Sequence, residues 1–258
     1  MQYLIDHIQN RPLKKMDEFL LAAEIESRAE ILGFEVEARK AIRLAALAHS
    51  QQTRANRGPY PRDTYLTHPL RNAVRALRYG VTDEHTIIAI ILHDVLEDAA
   101  FFIADTLMSF GSPAKDEAQA RVRAAVLLME DFHPYVGAFV HAVSNPVAEV
   151  NDSRSKSDKR QDYQKKVAQM LLDTGPEVTI IKLVDIIDNG AGLYHNTGLK
   201  DEARRHLALK YFPLMDTFLA RIEDAEVRQM LTECGYNEAK RQLLGAKSSL
   251  TKIISENT

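Results

Sequence analysis

The chain has 258 residues, of which 45% are hydrophobic and 27% are charged, and its formal net charge is -3. This composition predicts a globular protein of one large or two small domains, without a general attraction to nucleic acid. A single cysteine, Cys234, excludes an internal disulfide and a thiolate metal site. The charged N-terminus lacks the apolar core of a signal peptide, and no run of about eighteen apolar residues could span a bilayer. We therefore expect a cytoplasmic protein with no membrane partner.

Helical periodicity dominates the first part of the chain. Apolar residues recur with a helical period over 16–32 and over 35–52, which predicts two amphipathic helices. The segment 56–63 contains one glycine and two prolines and predicts a loop. Pro69 stands where proline is tolerated in a first helical turn, and this third helix should end at Gly80.

The next predicted helix, which Asp83 can cap, is the central one of the sequence. Residues 87–92 are wholly apolar, so we expect this helix to be buried on most sides. Four ionisable residues follow them: His93, Asp94, Glu97 and Asp98. On a continuous helix residues four apart lie one turn apart, so these side chains would project from one end toward a shared point. Buried charges need partners or a metal. The alternative is a helix end with solvated carboxylates and a core histidine.

Helices are predicted over most of the remaining chain, separated by proline and glycine. They span 115–130, 135–143, 159–172, 177–190, 201–222, 225–233 and 237–254. Strand signals are scarce, so the predicted fold class is all-α. We expect an N-terminal helical extension over 1–34, a main domain over 35–200, and C-terminal helices over 201–258 that pack on the main domain or extend it.

A second polar stripe lies on the helix predicted at 177–190. Lys182, Asp185 and Asn189 are three and four residues apart and therefore share one helix face, while apolar residues occupy the opposite face. Histidines and aspartates from separate helices would form a mixed nitrogen and oxygen ligand set. Such a set suits a divalent transition ion such as manganese or iron better than it suits thiolate-bound zinc.

Four motifs follow one another along the chain. They are His49 with Gln52 and Arg54, Tyr65 with His68-Pro69, Leu92 to Asp98, and Lys182 to Asn189. In this order they resemble the HD-domain phosphohydrolases, and within them the hydrolase domain of RelA/SpoT-type alarmone enzymes and the small alarmone hydrolases. The resemblance spans 35–196 and implies an HD-domain helical bundle.

The resemblance also implies a single bound divalent ion, with Mn²⁺ as the expected metal. Its ligands would be His49, His93, Asp94 and Asp185. Glu97 and Asp98 would be the catalytic pair beside it, orienting or deprotonating the attacking water and managing protons on the leaving side. Asp94 could instead orient His93 without touching the metal. Because the segment before His68 is longer than in the family, we expect His68 to be a structural hydrogen-bonding residue rather than a ligand.

Substrate contacts implied by the resemblance fall on Arg39, Lys40, Arg54, Lys182 and Asn189. Arg39 and Lys40 stand where the family brackets the purine, Asn189 where it contacts the ribose, and Arg54 where it could serve the phosphates. The alternative for each is an ordinary surface or loop position. A basic segment at 151–166 offers charge complementarity to a polyphosphate, and its alternative is a solvated helix face.

The expected activity is removal of pyrophosphate from the 3′ position of a purine nucleotide alarmone, a guanosine or adenosine 3′-pyrophosphate 5′-phosphate, as in the stringent response. Ile186 and Asp188 stand where the family has arginine and histidine, so tolerance of adenine is expected. One alternative is an HD phosphohydrolase for a nucleoside monophosphate, a cyclic nucleotide or NADPH. The other is a non-enzymatic nucleotide sensor, against which the retention of Glu97 and Asp98 argues.

Overall fold

The computed structural model describes residues 11–54, 63–107, 112–147, 152–194, 196 and 198–256. Within these ranges the regular secondary structure is helical, which confirms the predicted all-α class. Most of the predicted loop at 56–63 lies outside the described residues. None of the described helices combines the length and the apolar character needed to cross a membrane.

The helix bounds follow the predicted segments closely. In chain order the helices are α1 Glu18–Leu32, α2 Glu35–Ala48, α3 Thr67–Arg78, α4 Glu84–Leu92, α5 Val95–Asp98, α6 Ala100–Phe102, α7 Glu117–Asp131, α8 Pro134–Val143, α9 Lys156–Asp173, α10 Pro176–Leu193, α11 Asp201–Arg221, α12 Ala225–Gln229 and α13 Glu233–Ser255. A 3-10 turn at Leu13–Lys15 precedes α1, and a π-helical turn at Ile103–Leu107 follows α6.

The residues predicted to begin and end helices lie at the ends of the observed helices. The Asp83 carboxylate accepts the backbone N–H of Thr86 at 2.7 Å and so caps α4. Gly33 ends α1 with φ at 89°, and Gly80 follows α3 with φ at 93°. These positive angles are ones that glycine adopts without steric cost.

The chain divides into two compact units. The first comprises 1–52, 64–77 and 82–148, and the second comprises 53–63, 78–81 and 149–258. In the first unit α2 packs against α1, α4 and α5, and α8 packs against α4 and α7. In the second unit α13 packs against α10 and α11, and α9 packs against α11. The predicted division at residues 34 and 200 stays a prediction.

The core of each unit is formed around a helix that is buried along most of its length. All residues of α4 from Thr86 to Leu92 are buried, as are most residues of α10. Burying a side chain such as Ile or Leu stabilises a fold by about 1.5–3 kcal/mol. Helix α4 leads into His93 and Asp94, and α10 carries Lys182, Asp185 and Asn189, so within each unit a buried helix positions the residues of one predicted motif.

Pro213 interrupts the hydrogen bonding of α11 in the second unit. Proline has no N–H, so the carbonyl of Leu209, four residues earlier, loses its helical donor. Gln164 of α9 replaces that donor, since its Nε2 donates to the carbonyl oxygens of Leu209 at 3.0 Å and Lys210 at 3.1 Å. This contact ties α9 to α11 and keeps the interrupted turn satisfied.

Candidate active site

The central helix is not continuous through the four ionisable residues, and in this respect the sequence prediction was wrong. Helix α4 ends at Leu92, His93 and Asp94 form a turn, and α5 begins at Val95. Asp94 has ψ at -7°, well away from the helical value of about -42°. The Asp94 carbonyl then accepts the N–H groups of Glu97 and Asp98 at 3.1 and 2.9 Å. The break therefore starts a new helical turn for Glu97 and Asp98.

Three buried or partly buried side chains converge at this break: His68 of α3, His93 and Asp94. One ligand atom from each lies within 4.8 Å of the others. The Asp94 Oδ2 atom is 3.2 Å from His93 Nε2 and 3.6 Å from His68 Nε2. This group contains two of the predicted metal ligands and adds His68, which the sequence argument had set aside as structural.

The protonation of the His93 ring is fixed by the backbone. Its Nδ1 lies 2.8 Å from the carbonyl oxygen of Ile90, which can only accept, so Nδ1 carries the proton and donates. Nε2 then presents its lone pair on the side of Asp94 and His68. A metal-binding histidine characteristically donates its other ring N–H to a carbonyl or carboxylate in this way.

The His49 ring has the same tautomer as the His93 ring, with the proton on Nδ1. It caps the C-terminus of α2, and its Nδ1 lies 2.7 Å from the amide oxygen of Gln52. Its Nε2 is buried and has no hydrogen-bond partner among the described residues, which is costly unless a donor or a metal ion meets it. Burial lowers the pKa of His49, against the opposing effects of Gln52 and Asp94, and so favours the neutral imidazole that a metal ligand requires.

Tyr65 links these groups. Its hydroxyl donates to Asp94 Oδ2 at 2.8 Å. Its ring centroid lies 4.8 Å from that of His49 and 5.9 Å from that of His68. Tyr65 therefore orients the carboxylate and separates the two imidazoles, a role that its place in a motif did not indicate.

Glu97 is held by Asn145, a residue that sequence reasoning missed. The Asn145 backbone N–H donates to Glu97 Oε1 at 2.7 Å, and its side-chain amide donates to Oε1 and Oε2 at 3.0 and 2.8 Å. The carbonyl of Asn145 in turn accepts from the Arg121 guanidinium of α7, which also pairs with Glu117. Both oxygens of Glu97 are thus fixed in place.

Asp98 differs from Glu97 in its surroundings. Its Oδ2 lies 3.9 Å from His49 Nδ1, and its side chain is 32% exposed. Burial, together with the neighbouring charges of Asp94 and Glu97, raises its pKa to about 6. A carboxyl group with this pKa exchanges protons near neutral pH, as a general acid or base must.

The second unit brings together four predicted residues. The Asp185 carboxylate is 3.1 Å from Lys182 Nζ at one oxygen and accepts the Asn189 amide at 2.6 Å at the other. Arg54 donates to Asn189 Oδ1 at 2.9 Å and lies 3.5 Å from Asp188 Oδ2. Asp188 departs from the family pattern, and here its buried carboxylate serves as a counter-ion for Arg54. The side chains of this motif and of Arg54 therefore form one continuous network of hydrogen bonds and ion pairs.

Arg39 and Lys40 are engaged elsewhere on the surface of the first unit. Arg39 bonds Glu26 at 2.9 Å and also pairs with Glu35. Lys40 lies 4.6 Å from the ring centroid of Phe132 and donates to the Asp131 carbonyl. These contacts favour the surface alternative, and their assignment to the purine stays a prediction.

Three of the six basic residues at 152–166 pair with acidic residues of the same segment. Arg154 pairs with Asp152 and Asp162, Lys159 pairs with Asp152, and Lys166 pairs with Asp162. The Arg154 guanidinium lowers the pKa of Asp152. This pattern favours a solvated helix face over a polyphosphate site.

No family model matches the chain. Over 172 residues it is 27% identical to a protein named guanosine-3′,5′-bis(diphosphate) 3′-pyrophosphohydrolase from Aquifex aeolicus (strain VF5). The chain is similar to this hydrolase. The match covers 67% of the chain and 19% of the length of the Aquifex protein. This distant similarity supports the family that the four motifs indicate.

The donor chemistry of the first unit fits a divalent transition ion. His49 and His93 each have Nδ1 protonated and Nε2 lone pairs, and Asp94 and His68 lie beside His93. Imidazole nitrogens with a carboxylate oxygen suit manganese, iron or zinc, whereas thiolates are not part of this group. Glu97 and Asp98 add two carboxylates of different environment next to it, a combination typical of metal-assisted hydrolysis.

Proposed function

We propose that the protein is a metal-dependent phosphohydrolase that removes pyrophosphate from the 3′ position of a purine nucleotide of the guanosine or adenosine type. The observation that carries this proposal is the His68, His93 and Asp94 group, in which the Ile90 carbonyl sets the His93 tautomer, beside the carboxylates of Glu97 and Asp98. The name of the Aquifex relative, a 3′-pyrophosphohydrolase, supports the choice of the 3′-pyrophosphate.

The proposed metal ligands in the first unit are His49, His93 and Asp94, with His68 added by the geometry. Asp185 is proposed on its sequence motif alone. The proposed ion is Mn²⁺. Bound to these residues, a divalent ion would lower the pKa of a water molecule and polarise a phosphoryl oxygen. Tyr65 would keep the Asp94 carboxylate oriented for metal binding, since the Tyr65 hydroxyl donates to Asp94 Oδ2.

Glu97 and Asp98 have distinct proposed roles. Asn145 fixes both Glu97 oxygens, so Glu97 is suited to orienting the attacking water. Asp98 has a pKa of about 6 and is suited to taking a proton or delivering one to the 3′ oxygen of the leaving nucleoside. The sensor alternative gives no reason for keeping two carboxylates in such different environments.

Arg54, Lys182 and Asn189 are proposed to bind the sugar and phosphates. Arg54 donates to Asn189 and Lys182 lies against Asp185, so these three side chains are already ordered. A preordered guanidinium and ammonium lower the entropic cost of holding phosphates. Arg39 and Lys40 are proposed for the purine only on the strength of the family resemblance.

The experiment that tests this function incubates Mn²⁺-loaded protein with guanosine and adenosine 3′-pyrophosphate 5′-phosphates, and separately with GTP and ATP. Chromatography should show pyrophosphate and a nucleotide with intact 5′ phosphates, and little turnover of GTP or ATP. Rapid hydrolysis of GTP and ATP, or orthophosphate released from the 5′ end, would assign the protein to the alternative of a general nucleotide phosphohydrolase.

A further inference from the structure

The network around Asn189 in the second unit joins two cations to two carboxylates. Its contacts follow the order Lys182, Asp185, Asn189, Arg54 and Asp188. The Asn189 amide sets this order, because its Nδ2 donates to the Asp185 carboxylate at 2.6 Å while its Oδ1 accepts from Arg54 at 2.9 Å. One ion pair, between Lys182 and Asp185, therefore lies at one end of the network, and a second, between Arg54 and Asp188, lies at the other.

The charges of this network balance. Lys182 Nζ lies 3.1 Å from Asp185, and an Arg54 terminal nitrogen lies 3.5 Å from Asp188 Oδ2. Asp188 is 1% exposed, and a carboxylate buried to this degree needs a cation or hydrogen-bond donors to stay charged. The Arg54 guanidinium meets that need, so Asp188 offsets the positive charge of Arg54. The network as a whole has no net positive charge.

Arg54 is the member of its ion pair that a ligand can reach. Its side chain is 23% exposed, whereas the Asp188 side chain is fully buried. A guanidinium has five N–H donors, so Arg54 can contact Asn189 and Asp188 and still donate to a ligand. It makes such a contact as half of a neutral pair, which recognises the shape of a phosphate or hydroxyl but adds little attraction for further negative charge.

Ile186 acts in the same direction as Asp188. It lies between Asp185 and Asp188 on α10 and is 0% exposed. An arginine at this position, as in the family pattern, would add a cation to the helix. A histidine at 188 would remove the carboxylate that faces Arg54. Both residues of this chain therefore lower the positive charge available to phosphates.

We infer that Asp188 limits the number of 5′ phosphates on the preferred substrate to one, an inference that rests on the proposed function. There Asp185 binds the metal beside the 3′-pyrophosphate, so the Arg54 and Asp188 end of the network is left for the ribose and the 5′ side. A 5′-monophosphate takes the remaining donors of Arg54. A second 5′ phosphate adds negative charge that the balanced network does not match, and this charge also approaches the Asp188 carboxylate. Asp188 is thus a specificity-determining residue that acts through Arg54.

The first test compares two substrates of the wild-type protein. Mn²⁺-loaded protein is given guanosine 3′-pyrophosphates that carry either a 5′-monophosphate or a 5′-diphosphate, and kcat/KM is measured for each. We expect kcat/KM to be about tenfold lower for the 5′-diphosphate, because its extra charge meets no matching cation in a partly exposed site. Equal values, or a higher value for the 5′-diphosphate, would overturn the inference without any substitution.

Asp188→Asn tests the residue itself. The variant keeps the shape of the side chain and removes its charge, so the network gains one net positive charge. The ratio of kcat/KM for the 5′-diphosphate to that for the 5′-monophosphate should rise by about tenfold. Loosening of the fold alone would lower both values together and leave the ratio unchanged. A ratio that stays at the wild-type value would therefore contradict the role of Asp188.

Asp216→Asn is the matched control for this substitution. Asp216 pairs with Lys247 at 2.6 Å in the same unit, on the exposed surface of α11 and α13. Its replacement changes the net charge of the protein by the same amount but leaves the network around Asn189 intact. The substrate ratio should stay at the wild-type value. An equal rise of the ratio in both variants would show an effect of overall charge and overturn the inference.

Binding of GMP and GDP to the metal-free protein, measured by calorimetry, separates this inference from the proposed function because it needs no hydrolysis. We expect GMP to bind more tightly than GDP to the wild type, and Asp188→Asn to remove that preference. This pattern without hydrolysis of any 3′-pyrophosphate nucleotide would support phosphate selection by Asp188 and contradict the proposed function. Hydrolysis of these nucleotides without any discrimination between the 5′ ends would keep the proposed function and overturn the inference.

Discussion

Asn145→Ala tests whether the contacts to Glu97 shape the site. The substitution removes the two side-chain hydrogen bonds, at 3.0 and 2.8 Å, and keeps the backbone N–H bond at 2.7 Å. Hydrogen bonds to a charged group contribute about 1.5–3 kcal/mol when buried. Because Glu97 is only partly buried and water can replace the amide, we expect the free energy of unfolding to fall by about 1–2 kcal/mol.

The same change should also lower turnover. Glu97 would keep one anchor and gain rotational freedom, and a misplaced catalytic group costs about tenfold or more in kcat. The bound Mn²⁺ should be unchanged, because the hydrogen bonds of Asn145 join it to Glu97 and Arg121 and not to a proposed metal ligand. Urea denaturation and steady-state kinetics measure the two effects, and metal analysis of the purified variant checks the ion.

Asn237→Ala is the matched control for this prediction. Asn237 also donates to a glutamate, Glu233, at 3.2 Å, but on the exposed surface of α13. An exposed contact of this kind contributes little, and alanine favours a helix more than asparagine does, so stability should stay within about 0.5 kcal/mol. If Asn145→Ala behaves like this control in both stability and turnover, Asn145 does not position Glu97.

Three further predictions concern the carboxylates. Glu97→Gln should retain Mn²⁺ while kcat falls by about two to four orders of magnitude, and parallel loss of metal would make Glu97 a ligand instead. Asp185→Asn should lose both Mn²⁺ and activity in metal analysis and product assays, and retention of both would remove Asp185 from the site. The pKa of Asp98 is raised to about 6 from the ordinary 3.8, so the fold disfavours its charged form. The Asp98 carboxylate therefore destabilises the folded protein as the pH rises through that interval. In metal-free protein Asp98→Asn should therefore increase stability at pH 7.5 by about 1 kcal/mol, after allowance for its exposure, with no gain at pH 3; an equal gain at both pH values would contradict this.

The helices were predictable because their signals are local. Asp83 caps α4, Gly33 and Gly80 follow α1 and α3, and the apolar period of 87–92 marks a buried segment. Each of these depends on a few adjacent residues and on the 3.6-residue period. The break at His93 and Asp94 was not predictable in the same way, since one changed ψ angle leaves the hydrophobic pattern intact.

The site was only partly predictable because its contacts are not local. The motifs contain Tyr65, His68, His93 and Asp94, but the sequence spacing does not show that the side chains of Tyr65 and His68 meet Asp94, because that contact depends on the fold. Asn145 reaches Glu97 from 48 residues away and stands in a loop after α8, where no periodicity marks it. Arg39 is the opposite case. The family resemblance predicts that it contacts the substrate, whereas its side chain pairs with Glu26 and Glu35.

Hydrolysis of guanosine 3′-pyrophosphate 5′-diphosphate in ¹⁸O-labelled water tests the central claim most directly. If Glu97 and Asp98 direct water to the phosphorus bound to the 3′ oxygen, the new P–O bond carries the label and the P–O3′ bond breaks. Mass spectrometry should then find one ¹⁸O atom in the released pyrophosphate and none in the nucleotide, whose 3′ oxygen receives a proton. Label in the nucleotide or in orthophosphate, or no reaction with Mn²⁺ present, would contradict the account.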